Sequence, residues 1–213
     1  MRYANRAAAG QALASRLTHL AGASDAIVLG LPRGGVPVAA EVATALRLPL
    51  DALVVRKLGT PGQPELAMGA IAAGGIRVLH VGIVRRGRVT PADIDRIAVR
   101  EGAEVQRQEK LYRPGQPPLD LTGKTVVLVD DGLATGASML AAVRAALAMG
   151  AQRIIVAAPV GTIDTIRRLS AEADEVVVDQ STPGFGAVGQ WYRDFSQVED
   201  AAVLRALDRP LPA

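Results

Sequence analysis

The chain has 213 residues, 49% of them hydrophobic and 21% charged. That balance excludes a disordered chain and fits one domain over 1–213 with a core of its own. It has no Cys and only two His, His19 and His80, which excludes disulfides, thiolate nucleophiles and Cys- or His-rich zinc sites. Aromatics at 3% argue against base-stacking platforms, and a net charge of +3 spread along the chain gives no sign of a nucleic-acid partner.

Residues 1–24 carry Arg2, Arg6 and Arg16 and no acid, the bias of a transit peptide. However, Ala9, Ala12, Leu13, Leu17 and Leu20 fall on one helical stripe with Arg16 off it, so the segment reads as a first helix lying on the domain. Ala26 to Leu31 reads as a buried strand. Pro32 to Gly35 is a turn, and Pro37 starts a helix through Leu46. Leu53 to Val55 is a second strand. Residues 59–64 favour neither element and read as a loop. Met68 to Ala73 and Ile76 to His80 form a strand pair around Gly74-Gly75. Arg85 to Arg88 reads as a solvated turn. Thr90-Pro91-Ala92-Asp93 has the pattern of an N-cap, a proline at the first helical position and an acid in the first turn. A charged helix follows to Tyr112, with Ile94, Ile97 and Val105 inward. Thr125 to Val129 is a strand, Ala137 to Met149 a helix and Ile154 to Ala158 a strand. A short helix (Ile163 to Leu169), a strand (Val176 to Val178) and a last helix (Val198 to Leu207) complete the chain. Strands that are nearly continuous apolar runs, alternating with helices, imply an α/β fold with a parallel β-sheet flanked by helices. Ligands then belong in the loops after the strand C-termini. No run of eighteen apolar residues predicts a membrane span, and the expected location is the cytoplasm.

Three motif matches fail. Thr122 to Thr125 looks like the end of a P-loop, but Pro118 stands where the first Gly belongs and a strand follows. Gly136-Ala137-Ser138 begins like a nucleophile elbow, but Leu140 replaces the final Gly. No strand is followed by the dinucleotide-binding glycine pattern.

Val126 to Ser138 is different: four apolar residues, two adjacent carboxylates (Asp130, Asp131), three spacers, then Thr135-Gly136-Ala137-Ser138 opening a helix. A helix N-terminus offers unpaired N–H groups and a partial positive charge to a phosphate, worth roughly 0.3–2 kcal/mol from the dipole. Gly136 allows close backbone approach, and Thr135 and Ser138 add hydroxyls. Two carboxylates facing a phosphate would repel it, so they face sugar hydroxyls or a hydrated divalent cation. A phosphate at one end and a diol at the other suit a ribose 5-phosphate.

This segment resembles the thirteen-residue phosphoribosyl pyrophosphate (PRPP) motif of the type I phosphoribosyltransferases. The whole chain resembles bacterial phosphoribosyltransferase-domain proteins with an early Leu-Pro-Arg-Gly-Gly-Val-Pro and a late Ala-Val-Gly-x-Trp-Tyr-x-Asp-Phe. The resemblance implies the type I fold with a small variable hood built from 181–196 and an N-terminal contribution. It implies that Asp130 and Asp131 hold the ribose hydroxyls and, through water and substrate, Mg²⁺. Ala134, Thr135, Gly136, Ala137 and Ser138 would wrap the 5-phosphate. Arg33, Gly34 and Gly35 would form the pyrophosphate loop, with the glycines allowing an unusual backbone such as a cis peptide. Arg56 and Lys57 would open the family's mobile catalytic loop and help hold pyrophosphate, Arg33 and Lys57 joining the two acids in catalysis. It also implies a homodimer, while composition and hydropathy lead to the expectation of no nucleic-acid or membrane partner.

Ala134 stands where 6-oxopurine enzymes carry an Asp, which argues against hypoxanthine or guanine and leaves adenine-, uracil- and orotate-type acceptors open. Phe185, Val188, Trp191 and Asp194 are the hood candidates for the base. Their aromatics either form a π-face for a planar ligand or anchor a packed cap. Asp194 either reads a ring nitrogen or pairs with a cation near Arg193. The expected activity is Mg²⁺-dependent transfer of ribose 5-phosphate from PRPP to a nitrogenous base, with no protein nucleophile. A binding protein that senses PRPP is the alternative, because 58–76 adds no further cation after Lys57. A phosphoaspartate enzyme using Asp130 lacks the second acid two residues on, since Gly132 is there.

Overall fold

The structure is a computed structural model that describes residues 2–184 and 186–208, without the side chain of Glu65. In chain order its elements are α1 (Arg6–Ala14), β1 (Ala26–Gly30), α2 (Gly35–Leu46), β2 (Leu50–Ala52), β3 (Val55–Thr60), β4 (Gln63–Ala72), β5 (Arg77–Leu79), α3 (Val81–Arg86), α4 (Pro91–Tyr112), β6 (Thr125–Val129), α5 (Ala137–Ala148), β7 (Arg153–Thr162), α6 (Ile163–Leu169), β8 (Glu175–Thr182) and α7 (Asp200–Leu207). Five strands form a parallel sheet in the order β2-β1-β6-β7-β8.

Alternation along β6 explains the layering. Val126 and Leu128 pack with Met139, Ala142, Val143 and Ala146 of α5 on one face. Val127 and Val129 pack with Leu13 of α1 and Val38, Val42 and Leu46 of α2 on the other. Every residue of β6 is buried, as expected of a strand covered on both faces. The parallel α/β sheet flanked by helices is therefore the observed architecture.

β3, β4 and β5 form a separate antiparallel sheet. Leu58, Met68 and Ile71 pack with Ile94, Ile97, Ala98 and Val105 of α4, and α7 closes that cluster through Val203 and Ala206. The 22-residue α4 begins on the expected capping box of Thr90 and Asp93 with Pro91 at its first turn.

Several boundaries differ from the sequence reading. The second strand lies at Leu50–Ala52. Leu53 and Val54, both buried, cross from the parallel sheet to the hairpin, and Leu53 still donates to the Gly30 carbonyl at 3.1 Å. Residues 59–64 are the end of the β3–β4 hairpin instead of a loop. Pro61 and Gly62 (φ +75°) supply the tight turn, and Thr60 Oγ1 donates to the Leu66 carbonyl at 2.8 Å. Arg85 and Arg86 end the short helix α3, which His80 caps through Nδ1 accepting from the Ile83 N–H. The first helix stops at Ala14, so Leu17 and Leu20 reach the core from a turn and a 3₁₀ turn at Thr18–Leu20.

Candidate active site

Two loops meet above the C-terminal ends of β1 and β6. The β1 loop carries Pro32, Arg33, Gly34 and Gly35, with a cis peptide bond between Pro32 and Arg33. The β6 loop carries Asp130 and Asp131. A Cβ placed on Gly34 would lie 2.0 Å from Asp131 Oδ2, and one on Gly35 would lie 2.5 Å from the Val129 carbonyl and 3.1 Å from Asp130 Oδ1. Both glycines are thus required by the close approach of the acidic loop. The unusual peptide sits one residue before them.

Asp130 Oδ1 accepts the Asp131 N–H at 2.9 Å. Burial pushes the Asp130 carboxyl up to about 8, helped by the neighbouring charge of Asp131. Asp131 is also raised by burial, against the opposing pull of Arg6. Arg6 Nε donates to Asp131 Oδ2 at 2.9 Å, and the two side chains are 12% and 14% exposed. Arg6 Nη1 donates to the Ser196 carbonyl at 2.9 Å, and its guanidinium lies 3.9 Å from the Phe195 ring centre. Tyr192 Oη donates to the Asp131 carbonyl at 2.6 Å, and burial raises its phenol.

These contacts tie the acidic loop to a small cluster built from both ends of the chain. Tyr3 N–H donates to the Trp191 carbonyl at 2.9 Å, and Arg193 N–H to the Tyr3 carbonyl at 2.8 Å. Tyr3, Ala9 and Tyr192 are buried there, with Val188, Trp191 and Phe195 packed around them. Val188 sits on the acidic loop, since a Cβ on Gly132 would lie 2.5 Å from its Cγ1. Asp194 is exposed, accepts the Ser196 N–H at 3.0 Å and is held below the usual carboxylate range by that bond. Phe185 lies outside the described residues.

Ala134 to Ser138 lead into α5. Gly136 has φ +68°, which favours glycine, and a Cβ there would lie 2.5 Å from Thr165 Cγ2. Its close neighbour is therefore α6. The first N–H groups of α5 have no intrahelical acceptor and point back toward this loop. A cavity of 190 Å³ adjoins the loop, lined by Thr135, Gly136, Thr165 and Arg168 with Leu66 of the hairpin and Ile83 of α3.

The cationic residues divide. Arg33 lies 3.9 Å from Asp200 Oδ1, and the same oxygen accepts the Tyr112 hydroxyl at 2.6 Å. Arg56 and Lys57 are neighbours on β3 and so face opposite sides of the hairpin. Arg56 turns to α4 and pairs with Glu101 at 3.0 Å. Lys57 is half-buried on the face it shares with Val55, which packs on the cluster that includes α5. Arg56 and Lys57 are thus not brought together. Among the described residues, no group of three or more His, Cys, Asp or Glu is gathered in metal-binding geometry. No helix among them is long and apolar enough to cross a membrane.

A family model described as the phosphoribosyl transferase domain matches residues 3–192. The chain belongs to the phosphoribosyltransferase family. A Mycobacterium tuberculosis protein named "Putative phosphoribosyl transferase" is 48% identical over 205 residues, covering 96% of this chain and 46% of its own length. The chain thus spans about half the length of the curated relatives it matches. The crystal structure of TT1426 from Thermus thermophilus shares 43% identity and superposes with a TM-score of 0.89, covering 97% of this chain and 98% of that one.

Within this phosphoribosyltransferase fold, the two acids and the glycine pair lie side by side, and the loop into α5 follows the acids in the chain. Arg6 and the α6 pair Thr165 and Arg168 escaped the motif reading. Arg6 is 125 residues from its acidic partner. Its only local sign is a cation opening a helix with no acid in the first turn, against the helix dipole.

Proposed function

We propose that the protein transfers the 5-phosphoribosyl group from PRPP to a nitrogenous base that is not a 6-oxopurine, releasing pyrophosphate. The observation that carries this reading is the approach of Gly34 and Gly35 to Asp131 and Asp130, which sets the β1 loop beside the acid pair at the mouth of α5. Asp130 and Asp131 bind the ribose hydroxyls, and the amides of 134–138 hold the 5-phosphate. Amides of the β1 loop, with Arg33 and Lys57, bind the pyrophosphate. The C1–O bond to pyrophosphate breaks with its electron pair leaving on oxygen. The acceptor nitrogen then bonds to C1 and loses its proton. Positioned cations offset the charge that gathers on the leaving group, so no protein nucleophile is needed.

The acid pair suits Mg²⁺ bound through water and substrate. Two half-buried carboxylates are too few for an all-protein cage, and Mg²⁺ favours one or two carboxylates completed by waters and substrate phosphates. When bound, the ion supplies charge neutralisation on the pyrophosphate. Ala134 places no carboxylate where 6-oxopurine enzymes have one. Val188 and Trp191 bound the acceptor side, Asp194 lies at its rim, and the molecule is expected to work in the cytoplasm as a homodimer.

The test is pyrophosphate release from PRPP with Mg²⁺ across a panel of adenine, uracil, orotate, hypoxanthine and guanine. One acceptor other than a 6-oxopurine should support turnover. Asp131→Asn should lower that rate by roughly a hundredfold or more, as expected for a displaced substrate, while the fold persists. Equal rates in variant and wild type would remove Asp131 from the site. The second reading, a PRPP sensor, is favoured by two ion pairs: Arg6 on Asp131 and Arg56 on Glu101. PRPP binding without pyrophosphate release for any base would select it.

A further inference from the structure

Three side chains along α6, from its N-cap Thr162 to Arg168 in its last turn, face the loop before α5. Thr165, 2% exposed, donates Oγ1 to the Ala134 carbonyl at 2.7 Å. Thr162, the N-cap of α6, reaches the same carbonyl at 3.4 Å. Arg168 Nη2 donates to the Thr135 carbonyl at 2.6 Å and to Thr165 Oγ1 at 3.1 Å. The loop is also laced to β7, because Leu133 N–H donates to the Val160 carbonyl at 2.8 Å and Thr162 N–H to the Leu133 carbonyl at 3.2 Å.

A trans peptide is planar, so a carbonyl and the N–H of the next residue point in opposite directions. Pinning the Ala134 and Thr135 carbonyls on α6 therefore turns the N–H groups of Thr135 and Gly136 away from α6. Thr165 also fixes the residue type at 136, since its Cγ2 occupies the place of a Cβ and φ is +68°. A helix N-terminus by itself offers only the N–H groups of its first turn. The clamp adds the two amides just before it, and successive amides facing one way make an anion-binding concavity.

We infer that Thr165 and Arg168 are positioning residues for the 5-phosphate. Both act through the backbone of 134–136. This rests on the proposed function, and it assigns to α6 a specificity for the phosphomonoester end of the substrate. Ribose 5-phosphate and PRPP share that end, whereas pyrophosphate lacks it.

Calorimetric titration of wild type, Thr165→Val, Thr165→Ser and Arg168→Gln with PRPP, ribose 5-phosphate and pyrophosphate, all with Mg²⁺, separates the cases. Thr165→Val and Arg168→Gln should each weaken PRPP and ribose 5-phosphate by the same factor, about tenfold, equivalent to ~1.4 kcal/mol. Pyrophosphate affinity should not change, and Thr165→Ser should restore binding. In turnover assays KM for PRPP should rise by more than kcat falls. Wild type that binds neither PRPP nor ribose 5-phosphate would overturn the proposed function and this role with it. Wild type that binds both, with variants that match it, with pyrophosphate weakened equally, or with Thr165→Ser as weak as Thr165→Val, would overturn the positioning role alone. Arg168 is exposed, so Arg168→Gln carries the test if Thr165→Val does not fold.

Discussion

Replacing Arg6 by Leu removes the cation that joins the chain's N-terminal helix to the acid of the proposed ribose site. The Arg6–Asp131 pair is nearly buried, with 12% and 14% side-chain exposure at 2.9 Å. Two unit charges ~4 Å apart at an effective dielectric of 20 attract by about 4 kcal/mol before desolvation. Removing one partner of a buried pair typically costs ~3–5 kcal/mol, because the other charge is left unpaired. Residual solvent contact places this pair at the low end, about 3 kcal/mol, a figure that includes the lost stacking on Phe195 and the bond to Ser196. For a chain of this size each kcal/mol lowers Tm by roughly 2–4 °C, so thermal unfolding should shift down by about 6–12 °C. Asp131→Asn alone and the double variant complete a cycle, whose coupling should be about 2 kcal/mol. Mg²⁺ should raise Tm more in Arg6→Leu than in wild type, since Asp131 then lacks its resident cation. Single-variant effects that add within about 0.5 kcal/mol, or a loss under about 1 kcal/mol for Arg6→Leu, would refute the pairing.

Burial pushes the Asp130 carboxyl up to about 8, so between about pH 4 and 8 the folded chain binds a proton that an unfolded carboxyl, with a pKa near 4, releases. The unfolded state then binds fewer protons, so stability of the metal-free protein should fall as pH rises from about 4 through about 8. Asp130→Asn should flatten that decline in thermal melts, and an unchanged slope would contradict the assigned burial. Gly34→Ala puts a Cβ 2.0 Å from Asp131 Oδ2, so either the loop or the carboxylate must move. A displacement of about 1 Å can cost a hundredfold in rate, and kcat/KM for PRPP should drop on that scale with a fall in Tm no larger than that of Arg6→Leu.

The parallel sheet was legible because β1, β6 and β7 are near-continuous apolar runs separated by helical periodicity. The PRPP-like segment was legible because its parts are contiguous: Val126–Val129 fills β6, the acids follow, and Gly136 opens α5. What local patterning could not supply was pairing across distance. Arg6 meets Asp131, and Thr165 and Arg168 grip Ala134 and Thr135, with no shared periodicity between the partners. The hairpin at 55–72 was half-legible. Pro61-Gly62 suggests a turn, yet Gly59 and Pro64 depress strand propensity, and tertiary packing against α4 and α5 overrides it. Adjacent Arg56 and Lys57 look like a pair in sequence, but strand alternation separates them. The aromatic cluster of 188–196 was visible as composition, whereas its union with Tyr3 and α1 was only partly foreshadowed.

Calorimetric titration of PRPP into the purified protein, with and without Mg²⁺, decides whether the acid pair and the loops around it form a PRPP site. The convergence of the acid pair, the glycine pair and the mouth of α5 predicts micromolar binding that Mg²⁺ strengthens. Absence of binding under both conditions would contradict the assignment of these loops to a PRPP site.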